Sequence, residues 1–137
     1  MSLKILIIGK EPEGKKQEEL YKNIKSIVAE YGHEVLSTPN DIDTENEFGD
    51  YQDTFNNIKD ADLIILESTK ESTRQGMEVR EADLLGKPLI ILAEEGTEIS
   101  SLVAGLPLLH DIIYYSNIED IRDALVRNMA VIEEVEN

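Results

Sequence analysis

Short apolar runs alternate along this chain with segments of helical period, and the alternation predicts its architecture. Leu3 to Ile8 is almost continuously apolar and ends at Gly9, as expected of a strand buried on both faces. From Lys16 the period changes: Leu20, Ile24, Ile27, Val28 and Tyr31 share one helical face, and Gly32 supplies a stop. Glu34 to Ser37 can form a short strand, and Thr38 to Asp50 reads as a polar excursion loop. Tyr51, Phe55 and Ile58 predict a short helix ending near Asp60, followed by a second buried strand over Leu63 to Leu66.

The next helix has Ser72 or Thr73 as its N-cap, Ala82 and Leu85 on its inner face, and Gly86 at its end. Pro88 to Leu92 is again a strand, and Ile99 to Val103 a short helix before Gly105 and Pro107. Ile112 to Tyr115 is the last strand. Ser116 and Glu119 form a capping-box pair for a terminal helix carrying Ile118, Ile121, Leu125, Met129 and Ile132, with a fraying tail from Glu133 to Asn137. Strands alternating with helices imply right-handed crossovers and a parallel sheet. The expected fold is an α/β, flavodoxin/Rossmann-like three-layer sandwich around a five-stranded parallel sheet of order 2-1-3-4-5. Its ligand crevice lies at the carboxyl ends of strands one and three.

With 137 residues the chain is a single domain, residues 1–137, large enough for a substantial core. No apolar run approaches a membrane span, and Met1-Ser2-Leu3-Lys4 enters a strand instead of a signal peptide. Cysteine is absent, which excludes disulfides and thiolate chemistry and fits a reducing compartment; a cytoplasmic protein is expected. The formal charge of −16 argues against DNA, RNA and anionic membranes as partners, because such binding depends on neutralising phosphates.

Chemistry is sought first at Glu78. It shares a helical stripe with Ala82 and Leu85, so it leans toward the sheet, where partial desolvation tunes a carboxylate as nucleophile or acid/base. Gly76, two residues earlier, permits close approach of a ligand. Glu67, ending the second buried strand, competes for the same role. In the first loop, Gly9, Lys10 and Gly14 lead into a helix N-terminus suited to a phosphate or sugar hydroxyl, although the loop is neither a Walker A motif nor a dinucleotide fingerprint. His33 and His110 are expected to be structural. No cluster has zinc spacing, and Asp41, Asp43, Glu45 and Glu47 lack the remaining features of an EF-hand. Neither a metal nor a cofactor is expected.

In motif order from Leu3 to Gly105 the chain resembles the nucleoside 2-deoxyribosyltransferase superfamily, including its nucleoside-5′-monophosphate N-glycosidase branch. The matching residues are Gly9 and Gly14 in the first loop, and Ala61, Asp62 and Glu67 around the second buried strand. Ser72, Gly76 and Glu78 match the glutamate signature, Lys87 to Leu92 the Lys-Pro strand, and Ser100 and Gly105 a later Ser-Gly pair. The resemblance implies cleavage of an N-glycosidic bond in a nucleoside or nucleotide, with Glu78 attacking the anomeric carbon and a second acid assisting the base. It also implies a homodimer in which Ser100 reaches the ligand of the neighbouring subunit. Four positions depart from the family pattern. Leu6 replaces a tyrosine, Pro12 an arginine and Arg74 a glycine, while Thr54 stands where the family has an aspartate. Asp53 is one residue away, about 100° around the helix, and is the substitute candidate for the second acid. An inactive relative binding a nucleotide-like ligand or a protein is therefore the alternative, ahead of a flavin carrier or phospho-acceptor domain.

Overall fold

The computed structural model describes residues 2–136. Five parallel strands, β1 (Lys4–Gly9), β2 (Glu34–Ser37), β3 (Leu63–Glu67), β4 (Leu89–Glu94) and β5 (Leu109–Tyr115), form one sheet in the order β2-β1-β3-β4-β5. The helices α1 (Lys15–Glu30), α2 (Glu47–Asp60), α3 (Thr73–Leu84), α4 (Ser101–Ala104) and α5 (Ile118–Glu136) cover both faces. The three-layer α/β fold expected from the sequence is the fold observed.

Strand alternation divides the core. Ile5, Ile7, Leu63, Ile65, Ile90 and Leu92 point toward α1 and α5, where they meet Ile24, Ile27, Leu125 and Met129. Leu6, Ile8, Ile64, Leu66 and Ile91 point the other way, toward Ile58 of α2 and Val79 and Ala82 of α3. Because β1 and β3 are adjacent in register, from Ile5 beside Leu63 to Gly9 beside Glu67, their carboxyl ends finish level. The chain leaves them for helices that start on opposite faces, which opens a crevice on each side of this edge.

Several boundaries differ from those expected. The polar stretch after β2 is not all loop: Pro39–Asp41 forms a 3₁₀ turn, and α2 starts at Glu47 because Asn46 caps it, accepting from the Gly49 amide at 3.1 Å. β5 begins at Leu109, three residues early, since edge-strand pairing with β4 tolerates the polar His110 and Asp111. Leu85 is not on the inner face of α3; it is the C-cap and is 44% exposed. The cap of α5 is shifted by one residue: Asn117 accepts from the Asp120 amide at 3.0 Å, and Asp120 reaches back to the Ser116 amide at 2.8 Å. Asparagine caps at least as well as serine, and the spacing is the same. Helix α5 continues through the expected frayed tail to Glu136, and Asn137 lies outside the described residues. His33 is structural, its Nδ1 accepting from the Leu3 amide at 3.0 Å.

Candidate active site

Helix α3 positions Glu78. Ser72 caps the helix by accepting from the Gln75 amide at 3.2 Å, so the Ser72 hydroxyl is engaged by the backbone. Gln75 then ties the preceding loop down, donating to the carbonyls of Glu67 at 3.1 Å and Lys70 at 3.2 Å. With the helix start fixed from both sides, Gln75, Glu78, Val79 and Ala82 form the buried face. The Glu78 side chain thereby enters a crevice of about 240 Å³, bounded by the end of β1, the 3₁₀ turn and α2.

Only 4% of Glu78 is exposed. Its Oε1 lies 3.5 Å from Nε of Arg74, close enough to feel the charge, and has no hydrogen-bond partner among the described residues. Burial pushes the Glu78 carboxyl up to about 7; the Arg74 charge works against this and the Asp50 carboxylate adds to it. Arg74 itself is committed elsewhere. It grips Asp50 in a two-pronged pair at 2.6 and 3.0 Å and donates to the Thr54 hydroxyl at 2.6 Å. Burial works to lower the Arg74 pKa, but these Asp50 hydrogen bonds and the charges of Glu78 and Asp50 raise it above its ordinary value.

The structure brings together some of the expected site residues and separates others. Glu78, Asp53 and Gly9 line this crevice, together with Leu6, Thr54 and Arg74, three of the four departures from the family pattern; Pro12 is not among the lining residues. Asp53 is exposed at its rim. Gly76 lies within α3 with open space where a Cβ would project, so no packing contact demands glycine there. Gly14 is the N-cap residue of α1 and Ser100 the exposed N-cap residue of α4. Gly9 has a packing reason of its own: a Cβ would come within 2.7 Å of the Tyr21 hydroxyl and 3.1 Å of the Glu67 carbonyl.

Glu67 and Lys10 belong to a second, larger crevice of about 770 Å³ on the α1/α5 face. Strand alternation carries Glu67 to that side. Its carboxylate accepts from the Thr69 amide at 2.7 Å, from the Thr69 hydroxyl at 2.9 Å and from the Tyr115 hydroxyl. Burial raises the Glu67 pKa and these donors oppose the rise. The Tyr115 phenol is raised by its own burial and by Glu67, and that of Tyr21 by burial and nearby carboxylates. The Lys10 ammonium is paired with Glu13 at 2.6 Å, and Lys70 lies 3.7 Å from the same glutamate.

Sequence reasoning missed Asp50, which anchors Arg74 from 24 positions away; Asp41 and Asp43 are exposed, as a polar loop implies, and also line the Glu78 crevice. The acidic residues of the excursion loop were the visible signal. What was invisible was the folding of that loop over the end of β1. Among the described residues, no group of three or more His, Asp or Glu side chains is arranged to hold a metal ion. No helix among them is long and apolar enough to cross a membrane.

Fold and crevice define an α/β protein with a buried, unsatisfied glutamate at the carboxyl edge of a parallel sheet. No protein-family model and no curated protein matches the sequence. Among solved structures, it is similar to the CMP N-glycosidase BcmB of Clostridium botulinum. The identity is 18% and the TM-score 0.70, over 90% of this chain and 98% of that one. The 2-deoxyribosyltransferase of Bacillus psychrosaccharolyticus matches at 18% identity and a TM-score of 0.64, over 86% and 90% of the two chains. A receiver domain from Clostridium thermocellum follows at 19% identity and a TM-score of 0.60, over 97% and 98%. These likenesses establish the fold. A glycosidase and a signalling domain share it, so the site must argue the chemistry.

Proposed function

We propose that this protein cleaves the N-glycosidic bond of a nucleoside or nucleotide, as a hydrolase or transferase, with Glu78 as nucleophile. One observation carries the reading: Glu78 is buried, faces the crevice, and has a carboxylate oxygen with no hydrogen-bond partner among the described residues. The names of two structural neighbours support it, one a CMP N-glycosidase and the other a deoxyribosyltransferase used to make nucleosides. A carboxyl group poised near neutrality supplies an ionised fraction at physiological pH while remaining poorly solvated, which favours attack.

In the first step the ionised Glu78 oxygen bonds to the anomeric carbon as the bond to the base nitrogen breaks. The base leaves with that electron pair and takes up a proton. Asp53, across the crevice on α2, is the candidate to assist it. Water or a second base then attacks the same carbon and releases Glu78, as in a retaining glycosidase. The reading includes a homodimer, with Ser100 at the exposed start of α4 reaching the ligand of the neighbouring subunit. Leu102, 84% exposed on the same short helix, is consistent with a covered surface there.

The test is incubation with a panel of nucleosides and 5′-monophosphates, with chromatography for free base. Release by the native protein and its loss in a folded Glu78→Gln variant are expected. Absence of base from every compound at high protein concentration refutes the reading. One observation favours the alternative of a binding protein without turnover: the guanidinium of Arg74, where the family has glycine, stands beside Glu78. Ligand-induced thermal stabilisation without base release would select that alternative.

A further inference from the structure

The charge of the Glu78 crevice restricts what can enter it. Asp41, Asp43, Asp50 and Asp53 line it together with Glu78, and Arg74 is the only cation among its lining residues. That one cation is already spent on Asp50 and Thr54, with both terminal nitrogens engaged. The nearby lysines do not compensate. Lys10, Lys16 and Lys70 line the crevice on the opposite face of the sheet, and Lys10 is held by Glu13. Asp41, Asp43 and Asp53 are exposed around the crevice and Asp50 is half-buried, while the buried oxygen of Glu78 points into it without a partner among the described residues.

We infer that this crevice takes an uncharged nucleoside and discriminates against its 5′-phosphorylated form; the inference rests on the Glu78 reading above. A phosphate dianion entering here meets several carboxylates and finds no free guanidinium or ammonium among the lining residues to receive it. At a separation of roughly 10 Å and an effective dielectric constant of roughly 20, each like-charge contact costs about a tenfold loss in affinity. With Arg74 offsetting Asp50 and solvent screening the exposed Asp41, Asp43 and Asp53, one net carboxylate charge is counted against the dianion, and the expected preference is on the order of a hundredfold. The ribose of an uncharged nucleoside escapes this repulsion, and its hydroxyls find carboxylate acceptors in Asp50 and Asp53. An oxocarbenium-like transition state, being positive, is favoured by the same lining.

The experiment compares kcat/KM for each nucleoside that releases base with that for its 5′-monophosphate. A nucleoside preference of about a hundredfold is expected at low salt, shrinking as salt rises from about 0.02 M to about 0.5 M. In Asp50→Asn, which neutralises one carboxylate and frees Arg74, the preference should fall by at least tenfold. Cleavage of the monophosphate as fast as the nucleoside overturns the inference and leaves the role of Glu78 standing. If neither is cleaved, the Glu78 reading falls, and thermal shift with uridine and uridine 5′-monophosphate decides the ligand class. Greater stabilisation by the monophosphate, or stabilisation by neither, overturns the inference; stabilisation by uridine alone supports it.

Discussion

Replacing Glu78 with glutamine tests the buried carboxyl without relying on turnover. Burial raises this group from 4.5 to about 7 in the folded protein. Between those values the native state binds a proton that the unfolded chain has released. Stability therefore falls as pH rises through this interval. At 1.36 kcal/mol per tenfold change in proton affinity, the full rise corresponds to roughly 3 kcal/mol of destabilisation once pH exceeds about 7. Glutamine has nearly the shape of a protonated glutamate and does not titrate. The two proteins should thus have similar stability near pH 4.5, and Glu78→Gln should be roughly 3 kcal/mol more stable at pH 8. Urea unfolding at a series of pH values gives both free energies. Taking their difference cancels Glu67, whose folded-state pKa is also raised. A gap that stays flat from pH 5 to pH 8, or that favours the native protein at high pH, would refute the placement of an unsatisfied acid at this position.

Other substitutions probe the surroundings of this group. Arg74→Met removes the one charge that holds the Glu78 carboxyl down, so the rising limb of base release against pH should move upward from about 7; an unchanged limb would show that Arg74 does not act on Glu78. Gly9→Ala places a methyl 2.7 Å from the Tyr21 hydroxyl and should cost about 1–3 kcal/mol in urea unfolding, partly recovered in Gly9→Ala/Tyr21→Phe. Recovery should be incomplete, because the Glu67 carbonyl at 3.1 Å belongs to the sheet and cannot retreat. Asn117→Ala should cost about 1 kcal/mol and Ser116→Ala almost nothing, a ranking that the serine-based cap would reverse.

The fold was legible because its signal is local and redundant. Leu3–Ile8, Leu63–Leu66 and Pro88–Leu92 are apolar at every strand position or nearly so, a pattern that only a sheet covered on both faces accommodates. β5 was shortened at its start because an edge strand needs burial on fewer sides, and His110 and Asp111 conceal it. The helix caps were half legible: Ser72, one of two candidates beside Thr73, is the cap of α3, whereas Asn117 lost to a neighbouring serine at the same spacing. At the site, the direction of Glu78 followed from helical period. The Arg74–Asp50 pair did not, because it joins two helices across 24 residues and depends on the angle at which α2 and α3 pack. Which face received Glu67 was implicit in strand alternation, since Ile65 and Glu67 share a parity opposite to Leu66, whereas its place at the strand end made it a competitor of Glu78.

That separation decides which glutamate carries chemistry. Glu67 and Glu78 are about equally buried, 5% and 4% exposed, and burial raises the pKa of both. Their surroundings differ in kind. Three donors converge on Glu67, one from the backbone and two from hydroxyls, and the Thr69 hydroxyl that binds it also accepts from the Glu94 amide at 3.0 Å. Glu67 thereby cross-links the ends of β3, β4 and β5, a structural task. Among the described residues Glu78 has no comparable network, and a buried carboxylate oxygen without a donor costs about 1–3 kcal/mol that packing must offset. A glutamate kept for architecture would be expected to resemble Glu67. The uncompensated cost at Glu78 is the feature that a ligand would relieve, by bringing to the crevice the electrophilic carbon or the hydroxyl donor that the protein itself does not provide.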